Sequence, residues 1–205
     1  MTINRIWAMP NSKTFSIKPI QEFVERHIAS AKVIVDPFAN DAKYGTITND
    51  LNPAFDTLYH MDALDFLKML PNNSADAVLY DPPYSLRQVS ECYKGFGYDV
   101  TQETTQASWR ARHLDEIQRI LRPNGVCLCF GWNSNGVGKK RDFEMIEILL
   151  VPHGGSKHDT ICTAEIKLDR GGVISFDLHL RLRGFSLRLA GRIQKYKKGR
   201  VHRHS

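Results

Sequence analysis

Apolar residues recur along this chain with two different periods, and the switches between them outline its elements. In KPIQEFVERHI, Ile20, Phe23, Val24 and Ile28 share one face of a helix. Pro19 stands near the start of that helix, where a missing N–H does no harm. AKVIVDPFAND then carries a short β-branched run, Val33 to Val35, broken at Pro37. GTITNDLN is a second such run, ending in Asp50 and Asn52. TLYHMDA is a third, followed by a helical stripe through Leu64, Leu67 and Leu70. PNNS marks a turn, and ADAVLYDPPYS predicts a fourth strand that stops at its prolines. SWRARHLDEIQRILRPNG predicts an amphipathic helix on Leu114, Ile117, Ile120 and Leu121, with Gly125 in the helix-stopping position. VCLCFGWN predicts a fifth strand with Cys127 and Cys129 on one face. EMIEILLVPHG and HDTICTAEIKL, joined by a glycine-bearing turn, predict a closing hairpin. Strands alternating with helices imply an α/β domain whose sheet is mostly parallel, with the antiparallel hairpin at its C-terminal end.

Composition narrows the class. With 205 residues, 42% hydrophobic and 24% charged, the chain suits one soluble domain with a real core. No apolar run approaches the roughly 18 residues of a membrane span. MTINRIWAMPNSK lacks the pattern of a secretory signal, so the expectation is a cytoplasmic protein. The four cysteines, Cys92, Cys127, Cys129 and Cys162, show no CxxC spacing and no pairing with histidines. They read as reduced thiols, with no metal site. Charge is unevenly spread. Ten Lys or Arg against two acids follow Leu168, while the total is +6, so the preceding residues carry about −2. This divides the chain into a body, 1–168, and a basic C-terminal extension, 169–205. Phe176, Leu178, Leu180 and Leu182 alternate within the extension. It reads either as a solvated disordered end or as an arm that contacts a polyanion through counterion release.

In parallel sheets, ligands bind beyond the carboxyl ends of the strands. Four successive predicted strands place acids there: Asp36, Asp50, Asp62 and Asp81. One such acid usually caps a helix; four in succession mark a site. The sequence LYDPPYS adds a rigid Pro-Pro turn and an aromatic ring to the last of them.

DPPY after an apolar strand resembles the catalytic motif of the amino-group DNA methyltransferases, specifically the N6-adenine enzymes and their small phage-like members. FSIKPIQEFV resembles the family's helix-opening motif, which closes over the methionine part of S-adenosylmethionine. VIVDPFAND stands in the place of its cofactor motif, and TNDLN and HMDALDFL hold the expected acids. The resemblance covers roughly residues 5–168. It implies a Rossmann-like methyltransferase sheet, S-adenosylmethionine as cofactor and DNA as substrate. It also implies catalysis by Asp81, Pro82, Pro83 and Tyr84, and cofactor contacts from Lys18, Asp36, Phe38, Asn40, Asp50 and Asp62.

The chemistry agrees with the resemblance. An exocyclic amine on adenine is a poor nucleophile because its lone pair is delocalised. Asp81 and the Pro82 carbonyl, accepting one N–H each, would favour a pyramidal nitrogen, and a stiff turn aims both acceptors in advance. Tyr84 would stack on a base lifted from its duplex. Two features depart from the family pattern. The loop after DPF has Ala39, Asn40 and Asp41 where glycines are usual. The room for target recognition is confined to 85–108, read as a polar, flexible lid. Within it Arg87 and Lys94 are expected to contact DNA, with Tyr93 and Tyr98 flanking a flipped base; either target reading is brief and relaxed, or a homodimer or a partner supplies the rest. In WNSNGVGKKRDF, two glycines beside Lys139 and Lys140 predict a phosphate contact, without the GxxxxGK[ST] spacing of a nucleotide loop. Three alternatives stay open: cytosine N4 as the target, RNA as the substrate, or a catalytically silent DNA-binding protein with this fold.

Overall fold

The computed structural model describes residues 1–11, 13–101, 107–155 and 158–169. The basic extension beyond Asp169 therefore lies outside the described residues. The body, Met1–Leu168, is one compact unit. Its strands are β1 (Thr2–Arg5), β2 (Ile34–Asp36), β3 (Ile47–Thr48), β4 (Ala75–Tyr80), β5 (Leu121–Gly131), β6 (Phe143–Val151) and β7 (Thr160–Lys167). Its helices are α1 (Lys18–Ile28), α2 (Ala63–Met69), α3 (Leu86–Gly95) and α4 (Ala107–Ile120). The seven strands form one sheet in the order β1-β6-β7-β5-β4-β2-β3. All neighbours pair in parallel except β7, which runs antiparallel to both β5 and β6. Among the described residues no helix is long and apolar enough to cross a membrane.

Alternation along the central strands sorts the core into two layers. Val78 and Tyr80 of β4 and Cys127 and Cys129 of β5 face α2 and α4, packing on Phe66, Leu67, Leu114, Ile117 and Ile120. Ala77, Leu79, Leu128 and Phe130 point the other way, against Ile20, Phe23 and Val24 of α1. A strand buried on both faces must be apolar throughout, which is why these runs lack a polar phase. Each large side chain buried here contributes roughly 1.5–3 kcal/mol.

The sheet differs from the sequence expectation in four places. β1 was not expected: its four residues are all exposed and carry no alternation. Asn4 on β1 binds Glu147, which also meets Arg26 and His27 of α1. These partners hold the Glu147 carboxyl down at about 2 against the opposing effect of burial. The run TLYHMDA does not become a strand and makes one bridge, Tyr59 to Asn49. The Asn49 side chain takes both the N–H and the C=O of Met61, at 3.1 and 3.0 Å, in place of a ladder. Asp62 then turns the chain into α2 as its N-cap. The segment 85–108 is not all loop: α3 forms because Ser85 caps it, accepting from Gln88 N–H at 3.2 Å, and Val89 and Tyr93 share its buried face. Finally, Leu121 opens β5 and does not close α4: it pairs with Ala75, and residues 122–125 bulge out before Val126 meets Ala77. The left-handed residue there is Asn124, φ 65°. Gly125 serves close approach: a Cβ on it would stand 2.9 Å from the Arg122 carbonyl oxygen.

Candidate active site

The carboxyl ends of β2, β3 and β4 open into a cleft of about 640 Å³, within the usual range for small-molecule sites. On one side stand Pro37, Phe38, Asn40, Asp50 and Asp62. On the other stand Asp81, Pro82, Pro83 and Tyr84. Lys13, Thr14 and Phe15 border it from ahead of α1, and Gln88, Cys92, Tyr93 and Phe96 from α3.

The loop after β2 is shaped by carboxylates. Asp36 is fully buried, and its Oδ1 accepts the Phe38 N–H at 3.1 Å. Burial, reinforced by the charges of Asp81 and Asp50, lifts the Asp36 carboxyl well above the usual range, against the Phe38 hydrogen bond. Asn40 takes φ 51°, a left-handed geometry that asparagine tolerates. Its N–H donates to Asp50 Oδ2 at 2.9 Å, and the Asn52 N–H donates to Asp50 Oδ1 at 2.8 Å. Each Asp50 oxygen takes one hydrogen bond and has capacity for another, and the residue lines the cleft. Asp62 caps α2 through Oδ1 and accepts the Tyr93 hydroxyl on Oδ2. Tyr93 in turn accepts the Trp109 indole N–H at 3.3 Å. Phe38 packs edge-on to Tyr80 and His113 and lies tilted to Trp109. Burial holds His113 neutral, its pKa pushed down to about 4.

The turn after β4 presents Asp81. Tyr84 donates its hydroxyl to Asp81 Oδ1 at 2.6 Å, and the Tyr84 N–H is taken by Gln88 Oε1 at 2.7 Å. Loss of hydration lifts the Asp81 carboxyl to about 6, against hydrogen bonds from Tyr84 and Thr14. Burial and the Asp81 charge push the Tyr84 hydroxyl up in turn. Asp81 accepts the Tyr84 hydroxyl on one oxygen and still has acceptor capacity.

The structure gathers Asp81, Pro82, Pro83, Tyr84, Phe38, Asn40, Asp50 and Asp62 around one cleft. Asp36 lies outside the lining, behind Pro37 and Phe38. Lys18 is the exposed first residue of α1 and is not among the residues lining the cleft. Arg87 and Lys94 are exposed on α3, Arg87 paired with Glu91 at 2.7 Å. Lys139 and Lys140 precede the N-terminal end of β6. Since β6 runs parallel to β5 through their shared partner β7, that end is opposite the cleft. The glycines beside them wrap Glu165: the N–H groups of Val137 and Gly138 both donate to its carboxylate. Thr14 and Trp109 escaped the sequence reading. Tyr93, expected in the lid beside a flipped base, instead binds Asp62 from α3; Val89 and Tyr93, four apart, were a readable helical signal.

No protein-family model matches the chain. Among solved structures, the 1,6-didemethyltoxoflavin-N1-methyltransferase of Burkholderia thailandensis is similar over 74% of this chain and 78% of its own, with a TM-score of 0.52 at 13% identity. This chain has the methyltransferase fold. That neighbour was crystallised with 1,6-didemethyltoxoflavin and S-adenosylhomocysteine bound. TrmN from Thermus thermophilus aligns over 74% of this chain and 49% of its own, at 16% identity and a TM-score of 0.48. In sequence, the chain is similar to the Type II methyltransferase M.BamHI of Bacillus amyloliquefaciens, 27% identical over 95 residues. The match covers 42% of this chain, which spans about a fifth, 21%, of that relative's length. In this chain the Tyr59 bridge to Asn49 follows directly on β3, and β1 stands at the sheet edge beyond β6.

Proposed function

We propose that this protein methylates an exocyclic amine of a nucleobase, adenine N6 in DNA, with S-adenosylmethionine as donor. The observation that carries the proposal is Asp81: a carboxylate at the head of a Pro-Pro turn, bonded to the Tyr84 hydroxyl, on the wall of a cleft that also holds Asp50 and Asp62.

The residues fit the donor. Asp50 offers free lone pairs to ribose hydroxyls, as acids after the second strand do in nucleotide-binding sheets. Phe38 offers a flat apolar wall, and Asp62 an acceptor beside it. Bound S-adenosylmethionine supplies a methyl group on a positively charged sulfur. The chain's own part is to make the amine nucleophilic. Asp81 accepts one N–H and the Pro82 carbonyl the other, which localises the nitrogen lone pair. The turn fixes both acceptors before substrate arrives, so little reorganisation is needed. The Tyr84 hydroxyl holds the Asp81 carboxylate in place through Oδ1, and its ring is set to stack on the base.

The decisive assay supplies purified protein with methyl-labelled donor and, separately, single-stranded DNA, duplex DNA and RNA, followed by nucleoside analysis. Label on N6-methyladenine that disappears in Asp81→Ala is the expected result. Label on N4-methylcytosine would move the target base, and label on RNA alone would move the substrate. No label on any nucleic acid would sink the function.

A further inference from the structure

A row of aromatic rings leaves the cleft past Tyr84, and the mechanism above does not use it. Gly131 ends β5 beside Tyr84: a Cβ there would lie 3.9 Å from the tyrosine ring. The next residue, Trp132, meets the Tyr84 ring edge-on, centroids 5.7 Å apart at 74°. Trp132 also packs against His158, centroids 4.2 Å apart and tilted at 33°. Trp132 is outside the cleft lining and 38% exposed. Asn133, Ser134 and Asn135 follow it, all exposed and uncharged.

We infer that Trp132 is a stacking platform for the base next to the target, so that the enzyme reads an unpaired stretch of nucleic acid and not an isolated base. The inference rests on the proposed function and extends it to substrate class. The indole stays open to solvent while in ring contact with the residue assigned to the target base. The spacings are those of aromatic contact: Tyr84 meets Trp132 edge to face at 5.7 Å, and His158 lies tilted against it at 4.2 Å, so the indole continues the aromatic surface that begins at Tyr84. The surroundings favour nucleic acid over a protein partner. Asparagine amides and a serine hydroxyl can hydrogen-bond base edges, and aliphatic side chains, which a protein partner's apolar face would seek, do not flank the indole in the chain. Stacking on such a platform is tolerant of base identity, since every base has a π-face.

The test uses the full chain and fluorescently labelled single-stranded oligonucleotides with one adenine. One has normal neighbours; another has abasic sites on both sides of that adenine. Trp132→Ala should weaken binding of the normal oligonucleotide about tenfold, as expected for one lost base–aromatic stack. Trp132→Phe should recover most of that loss. In turnover the loss should appear chiefly in KM, with the smaller part in kcat. On the abasic-neighbour oligonucleotide, wild type and Trp132→Ala should converge, because the stacking partner is gone from both. The platform is overturned if Trp132→Ala binds the normal oligonucleotide like wild type. It is also overturned if the variant loses the same factor on the abasic one. A wild-type protein that methylates DNA while Trp132→Ala matches it removes the platform alone. A wild-type protein that neither binds nor methylates any nucleic acid removes the function beneath it.

Discussion

Two loops of this protein invite opposite expectations, and the structure reverses them. The loop 37–42 has no glycine where a nucleotide-binding loop usually needs one, while 133–141 has two glycines followed by three cations. Yet the glycine-free loop lines the cleft, and the glycine-rich loop encloses an internal carboxylate. In the first, Asn40 supplies the left-handed residue and its N–H is fixed by Asp50, leaving the Asp50 carboxylate facing open space. In the second, Gly136 at φ 57° and Gly138 at φ 92° bend the backbone tightly round Glu165, which uses the N–H groups that could have held a phosphate. Glycine thus reports a backbone bend and not a ligand. The ligand site is wherever the carboxylate that organises the loop still has acceptors to spare.

The largest effect should come from filling the tighter bend. A Cβ at Gly136 would fall 2.6 Å from the Glu165 carboxyl carbon, with the backbone in the left-handed region. Gly136→Ala should cost about 3–4 kcal/mol, from steric overlap and backbone strain together. Urea unfolding reads this directly. A variant as stable as wild type would mean that the glycine loop is not built around Glu165.

Removing the organising carboxylate separates the two loops by kind of damage. Glu165→Ala leaves the Val137 and Gly138 N–H groups without an acceptor beneath the surface, and should cost about 2–3 kcal/mol of stability. Asp50→Ala releases the Asn40 and Asn52 N–H groups to accessible solvent, so stability should fall by less than about 1 kcal/mol. Its cost should appear in binding, with S-adenosylhomocysteine affinity lower by about 10–100-fold for one lost charged hydrogen-bond partner. Calorimetric titration beside thermal unfolding checks both. The contrast breaks if Asp50→Ala loses stability and keeps affinity.

The carboxylate at the open turn can also be tuned without being removed. Asp81 has its pKa raised to about 6, mainly by burial. Its acceptor form exists above that value, so methyl transfer should hold from about pH 7 upward and decline as pH falls through 6. The Tyr84 hydroxyl stabilises the ionised form. Tyr84→Phe keeps the ring and removes that bond, and should move the acidic limb up by about one unit. His113 must be watched in the same window. Its folded pKa of about 4 lies below the ordinary 6.5, so the unfolded chain binds the extra proton first and stability declines as pH falls from 6.5 toward 4. Circular dichroism at each pH separates that loss from the titration of Asp81. An acidic limb that Tyr84→Phe leaves in place would detach Asp81 from the rate.

Much of this contrast was legible before any coordinates, and what was hidden had a physical cause. α1, β2, β4 and β5 were readable because each buries a full face, so Ile20, Phe23 and Val24, or Val78 to Tyr80, had to be apolar. The turn at Asp81 was readable because two prolines must end a central strand. β1 was invisible since none of its residues is buried. The Tyr59 run misled because a side chain, Asn49, replaces the strand ladder that β-propensity anticipates. Lys139 and Lys140 looked poised for phosphate because their position depends on the direction of β6, a property of the whole sheet. The clue to their loop was elsewhere: Glu165, the one acid of β7, had to find donors when buried.

The smallest effect probes the other side of the comparison, whether the missing glycine in 37–42 matters at all. Asn40→Gly relieves the cost of φ 51° but removes the bond from Asp41 N–H to Asn40 Oδ1, at 2.8 Å, and loosens the unfolded chain. These terms oppose one another, so stability should change by no more than about 0.5 kcal/mol, and donor affinity by less than about threefold. Asn40→Ala keeps the strain and loses the same bond, and should fall about 1 kcal/mol below wild type. The ordering Gly near Asn, with Ala below both, is what a left-handed position demands. If Ala matched Gly, the conformation at residue 40 would be incidental, and the Asp50 carboxylate alone would shape the loop.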